Sequence, residues 1–131
     1  MRRVAFLACA GLLLAGCTDT EPSVYKAGGT AECLRKAGYQ VTTDPVRLGV
    51  VERSAENGGL LAFEPGNAVR IAFGANSDDA IGIEAGFRRF VSKKVRPHIA
   101  DVMRTQKNAV FLWTITPPQE ELNKVYGCLK G

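Results

Sequence analysis

Four cysteines, one histidine and 13 carboxylates are the side chains with which this 131-residue chain could do covalent, metal or acid–base chemistry. The thiols stand at Cys9, Cys17, Cys33 and Cys128, and no two have the CxxC spacing of a metal or redox site. His98 follows Pro97 in a basic neighbourhood, without a second histidine to share a metal or relay a proton, so a surface imidazole near a helix boundary accounts for it. Asp78 and Asp79, with Asn76 and Glu84 close by, are candidate ligands for a hard cation, but carboxylates after Ser77 are also what opens a helix. Arg88, Arg89, Lys93, Lys94 and Arg96 form the densest basic cluster, suited to a solvated helix face or to anionic head groups and polyanionic wall polymers. No HExxH, GxSxG or phosphate-binding glycine loop occurs, so neither a catalytic residue, a cofactor nor a metal is expected.

Cys17 has a distinctive setting. A positive start at Arg2 and Arg3, an apolar core from Val4 to Leu14 and the small pair Ala15-Gly16 precede it. At about a dozen residues the core is too short to cross a hydrocarbon layer, which takes about 20, so it reads as an export signal. Leu14-Ala15-Gly16-Cys17 resembles the lipobox of bacterial lipoproteins: aliphatic, small, small, cysteine. The resemblance implies a diacylglyceryl group on Cys17 Sγ, cleavage between Gly16 and Cys17, and acylation of the new amino terminus, palmitate being a usual acyl group. Two or three chains hold a protein stably where one does not, so no transmembrane helix is needed. Thr18 is not the Asp that marks inner-membrane retention in this class, which implies the outer membrane where the source has one.

On that reading 115 residues remain of 131, enough for one domain. With Arg2 and Arg3 gone, 15 Lys and Arg face 13 Asp and Glu, and the net charge falls from +4 to +2. Near neutrality and export both argue against nucleic acid. Cys9 leaves with the signal and Cys17 is alkylated, so the resemblance also implies that Cys33 and Cys128 pair in an oxidising compartment; a metal pair or a reactive thiol is the alternative. Glu32-Cys33-Leu34 and Val125-Tyr126-Gly127-Cys128-Leu129 are similar to small exported lipoproteins closed by a cysteine at each end, a likeness that carries no activity.

The elements that must position these groups follow from pattern. Residues 1–16 form the signal peptide, 17–29 the anchor and a flexible tether, and 30–131 a single α+β domain. Thr30 is a candidate N-cap for a short helix ending at Gly38, and Tyr39 to Thr42 alternates as a strand. Asp44-Pro45 opens a helix that Asn57-Gly58 closes, with a strand over Leu48 to Glu52 as competitor. Gly59–Phe63 and Ala68–Phe73 flank Glu64-Pro65-Gly66-Asn67, a hairpin with Pro-Gly at the centre of a type II turn. A helix from Ser77 places Ala80, Ile83, Phe87, Phe90 and Val91 toward the core, and Gly82 and Gly86 within it suggest close backbone approach. One or two helical turns follow Pro97. Ala109 to Thr116 reads as a central strand and Gln119 to Leu129 as a final helix.

Strand, helix, strand, strand, helix, strand is the split βαβ, ferredoxin-like pattern: a four-stranded antiparallel sheet with flanking terminal helices. Such a sheet leaves the face bearing Val110, Leu112, Thr114 and Thr116 bare unless the terminal helices or a partner cover it. The expected function is a non-catalytic envelope module, anchored through Cys17, that binds a protein partner or itself through that face. The alternative is a ligand-binding or hydrolytic protein with a site near Asp78, Asp79 and His98.

Overall fold

The computed structural model describes residues 24 to 131; the expected signal peptide, Cys17 and the first part of the expected tether lie outside them. The elements are α1 (Ala27–Lys36), β1 (Gln40–Thr42), α2 (Val50–Ser54), β2 (Gly59–Glu64), β3 (Asn67–Phe73), α3 (Ser77–Phe90), a 3-10 turn (Arg96–His98), α4 (Ile99–Val102), β4 (Met103–Gln106), β5 (Ala109–Trp113) and α5 (Gln119–Gly127). Five strands pair antiparallel throughout in the order β1-β2-β3-β5-β4.

The α+β class and the β2–β3 hairpin match the expectation, with Gly66 at φ +94° supplying the left-handed residue of the turn. The four-stranded split βαβ arrangement does not form, for two reasons. β1 and β2 are direct antiparallel neighbours, and α2 between them is five residues, too short to cross over a sheet. The helical turns after Pro97 end at Val102, and the polar stretch that follows, for which pattern gives no element, is an edge strand folded onto β5 through the two-residue turn Lys107-Asn108. With one neighbour and exposed Thr105 and Gln106, β4 carries little of the apolar signal that marks inner strands.

Side-chain alternation sorts the sheet into two faces. Val69, Ile71 and Phe73 of β3 share one face with Phe111 and Trp113 of β5. On that face the Phe111 ring meets Tyr126 of α5 edge-on at 5.3 Å and stacks on Trp113 at 5.4 Å. The other face carries Arg70, Ala72, Val110 and Leu112, and α2 and α3 lie on it: Arg70 bonds Glu52 of α2, and Thr105 of β4 donates to Glu84 of α3. This is the face expected to be bare, yet Val110 is fully buried and Leu112 half-buried. The terminal helices cover the opposite one.

Those terminal helices are clasped together. The Cys33–Cys128 disulfide joins α1 to the C-cap of α5, with Cα atoms 5.3 Å apart across a sequence separation of 95. Lys26 N–H donates to Lys130 O, and Lys130 N–H to Thr30 Oγ1. Thr30 is therefore a buried residue inside α1 and not its N-cap, which is Lys26. Order begins at least three residues before Thr30 because the small residues permit it: a Cβ on Gly29 would sit 3.0 Å from Lys130 Cβ. Ahead of α1, Tyr25 exchanges both backbone bonds with the buried side chain of Asn108, which also donates to Gly74 O.

Beneath this clasp the core holds a polar knot. Glu121 is 5% exposed, and its carboxylate accepts from Trp113 Nε1 and Asn67 Nδ2. Tyr39 is buried beside it, its hydroxyl without a hydrogen-bond partner among the described residues. Burial first, and then the negative charges of Glu64 and Glu121, push the Tyr39 phenol well above its ordinary value.

Two outcomes follow. Replacing Cys33 and Cys128 together by Ala is expected to lower the unfolding free energy by about 4 kcal/mol, since the bond closes nearly the whole domain into one loop. An unchanged urea midpoint contradicts this. Tyr39 is neutral in both states below about pH 10, where the unfolded phenol ionises. Its raised folded pKa means that stability is lost as pH rises above that point. Urea melts of Tyr39→Phe should show at least wild-type stability at pH 7, since the lost hydroxyl has no partner, and an advantage that grows above pH 10; a difference that stays constant across that range contradicts the assignment.

Candidate functional site

Arg70 is the one charge in the strand Ala68-Val69-Arg70-Ile71-Ala72-Phe73, and alternation turns it toward α2 and α3. An inner strand between two helical layers has no place for an unpaired guanidinium. Glu52 supplies the partner: Arg70 Nη1 donates to Glu52 Oε1 at 2.9 Å. The pair is lopsided, because the Glu52 side chain is 2% exposed and that of Arg70 41%. Glu52 reaches this depth because its neighbours are glycines. A Cβ on Gly49 would stand 2.7 Å from Glu52 Oε2, and one on Gly59 would overlap the Glu52 backbone.

The short α2 and the longer α3 do not close over Arg70. Between them and the sheet lies a cleft of about 650 Å³, within the range of ligand pockets. Leu48, Val50 and Val51 form one wall; Phe87, Phe90, Val91 and Val95, from the end of α3 and the segment after it, form the other. Leu112 of β5 contributes to the floor beside Arg70 and Glu52, Trp113 borders it with its ring turned to the other face, and Arg47 stands at the edge. Phe90, expected in the core, is 58% exposed, with the Arg89 guanidinium 5.5 Å from its ring centroid. It lies on the rim of the cleft because α3 ends there. A shallower groove of about 280 Å³ continues between α2 and α3 past Gly86, where a Cβ would meet Val51 Cγ2 at 3.3 Å. Gly82 shows no such approach.

Asp78, Asp79 and His98 are not brought together. Asp79 Oδ2 accepts from Ala75 N–H, and Asn76 Oδ1 caps Asp79 N–H at the start of α3. His98 lies beyond the opposite end of that 14-residue helix, about 20 Å long. Among the described residues no three His, Cys, Asp or Glu side chains cluster as metal ligands. Arg88, Arg89, Lys93, Lys94 and Arg96 are exposed around the C-terminal end of α3, with Arg96 donating to the carbonyls of Arg89 and Val91. This cluster therefore stands beside the mouth of the cleft, a relation that sequence spacing does not reveal. Cys33 and Cys128 form the disulfide on the far face. No family model matches the chain, and no curated protein or solved structure is significantly similar to it.

Glu52 and Arg70 escape motif reasoning, since neither belongs to a known pattern. The available signal was Arg70 itself, a single charge at an inward position of a strand between two apolar neighbours.

Arg70→Met strands a buried carboxylate and is expected to cost about 2 kcal/mol, less than the roughly 3 to 5 of a fully buried pair because Arg70 is partly solvated. Glu52→Gln keeps an acceptor for the guanidinium and should cost less. Urea midpoints of the two variants test this, and a larger loss for Glu52→Gln contradicts it.

Proposed function

We propose that the protein is a lipid-anchored module of the cell envelope that binds a small ligand in the Arg70 cleft and performs no chemistry on it. The observation that carries this reading is a half-exposed guanidinium at the base of an apolar cleft, held from below by a buried carboxylate. Such a site offers orientation and specificity. It lacks a nucleophile–base pair, and the one histidine stands outside its lining. The cleft takes the place of the sheet face as the binding surface, since α2 and α3 occupy that face. The lipobox-like Leu14-Ala15-Gly16-Cys17 supports the anchor and, with it, residence on the exported side of a membrane, the outer one where two exist. The described chain enters beside Asn108, at the start of β5, and the cleft is floored by the end of that strand.

Native mass spectrometry of the protein released from membranes tests both halves. Expected are acyl mass on Cys17 and a non-covalent, unmodified small molecule that Leu112→Trp, which fills the cleft, eliminates. Unacylated Cys17 contradicts the anchor. A molecule retained by Leu112→Trp, or an empty wild-type cleft, contradicts the binding site.

A further inference from the structure

The class of ligand can be read from the charge and shape of the same cleft, an inference that rests on the cleft being the binding site. Its lining holds the guanidiniums of Arg47 and Arg70 against the single carboxylate of Glu52, an excess of one positive charge. Arg70 spends one hydrogen bond on Glu52 among the described residues and keeps its remaining N–H donors for solvent or a ligand. Apart from the hydroxyls of Ser92 and Thr114 the walls are apolar: Leu48 on one side and Phe87, Phe90, Val91 and Val95 on the other.

We infer that the cleft takes an anionic amphiphile: one carboxylate or phosphate head seated on Arg70, with an aliphatic tail lying along Phe87, Phe90, Val91 and Val95. A neutral apolar ligand would cover the remaining Arg70 donors without satisfying them. A cation would meet the excess positive charge, with Glu52 too deep to reach it. A planar or tetrahedral oxyanion accepts two parallel bonds from a guanidinium fork, and Arg47 completes the charge balance. Arg88, Arg89, Lys93, Lys94 and Arg96 around the mouth raise the local concentration of an anion and speed its capture.

The test uses the acylated protein in zwitterionic vesicles, with protein-free vesicles as blank and 11-(dansylamino)undecanoate as probe. Trp113, the chain's one tryptophan, follows the floor residue Leu112 with its ring on the other face of the sheet, within energy-transfer distance of the cleft, and serves as donor. Dodecanoate, dodecyl phosphate, dodecanol and dodecyltrimethylammonium then compete, each below its micelle-forming concentration. The anions are expected to displace the probe at concentrations roughly tenfold lower than the other two, and Arg70→Gln to remove that preference while leaving dodecanol unchanged. Arg47→Gln, at an exposed position where folding is not at stake, should reduce the preference in the same direction. A stronger response to dodecanoate points to a free fatty acid, and one to dodecyl phosphate to a phospholipid fragment; either supports the inference. Equal or tighter binding of dodecanol or the ammonium compound overturns the anionic class but leaves the cleft as a binding site. Absence of energy transfer with every ligand overturns the cleft reading, and the inference with it.

Discussion

Arg70 sits in the middle of an inner strand, and the carboxylate of Glu52 is what makes that position tolerable. The ion pair pins α2 to β3, and the rest of that face is arranged around it. A five-residue helix is only about 7.5 Å long and cannot blanket five strands. α3 packs on β5 and α2 on β3, but Leu112 stays half-buried, leaving an opening where the two helices part. An apolar pair of the same size at 52 and 70 would bind α2 at least as firmly, because desolvating two charges offsets much of their attraction. A charged pair whose guanidinium stays partly in solvent is thus a poor device for stability alone. It is a suitable one for presenting donors at the base of a cleft.

The opposite face follows a different logic. There the sheet is sealed by α1 and α5, and the two helices are bound to each other by the Cys33–Cys128 disulfide, by Thr30 and Lys130, and by Lys26 and Lys130. Neither helix alone buries enough apolar surface to be secure at a chain end. Closing the loop restricts the unfolded chain and leaves one face rigid. The buried knot of Glu121, Trp113 and Asn67 specifies how α5 sits, since each polar group would be orphaned by a shift in register. Asn108 performs the same service for the backbone of Tyr25 ahead of α1. One face is therefore closed and the other open.

Much of this was legible in the sequence, and the failures have physical causes. The β2–β3 hairpin declared itself through Pro65-Gly66, and α3 through Ala80, Ile83 and Phe87, because local chemistry decides both. The pairing of Cys33 with Cys128 followed from the count of thiols left by the lipobox-like Cys17. Strand β4 was hidden because an edge strand needs no apolar alternation, and α1 began early because Gly28-Gly29 reads as a linker unless the crossing of Lys130 is known. The cleft was illegible for a deeper reason: Glu52 and Arg70 are 18 residues apart, and their partnership exists only once β3 is registered against α2. The basic cluster was visible, but its place beside the cleft mouth depends on where α3 ends over the sheet.

The central claim is that Arg70, and not the surrounding basic surface, receives the ligand. Side-chain arginine NMR, read while dodecanoate is added to the full-length protein in zwitterionic nanodiscs, tests it most directly. The Nε–Hε signal of Arg70 should shift and saturate, while the Trp113 indole N–H, held by Glu121 on the sealed face, stays in place. Saturating shifts at Arg88, Arg89 and Arg96 with Arg70 unmoved would mean adsorption to the basic surface, and would contradict the account.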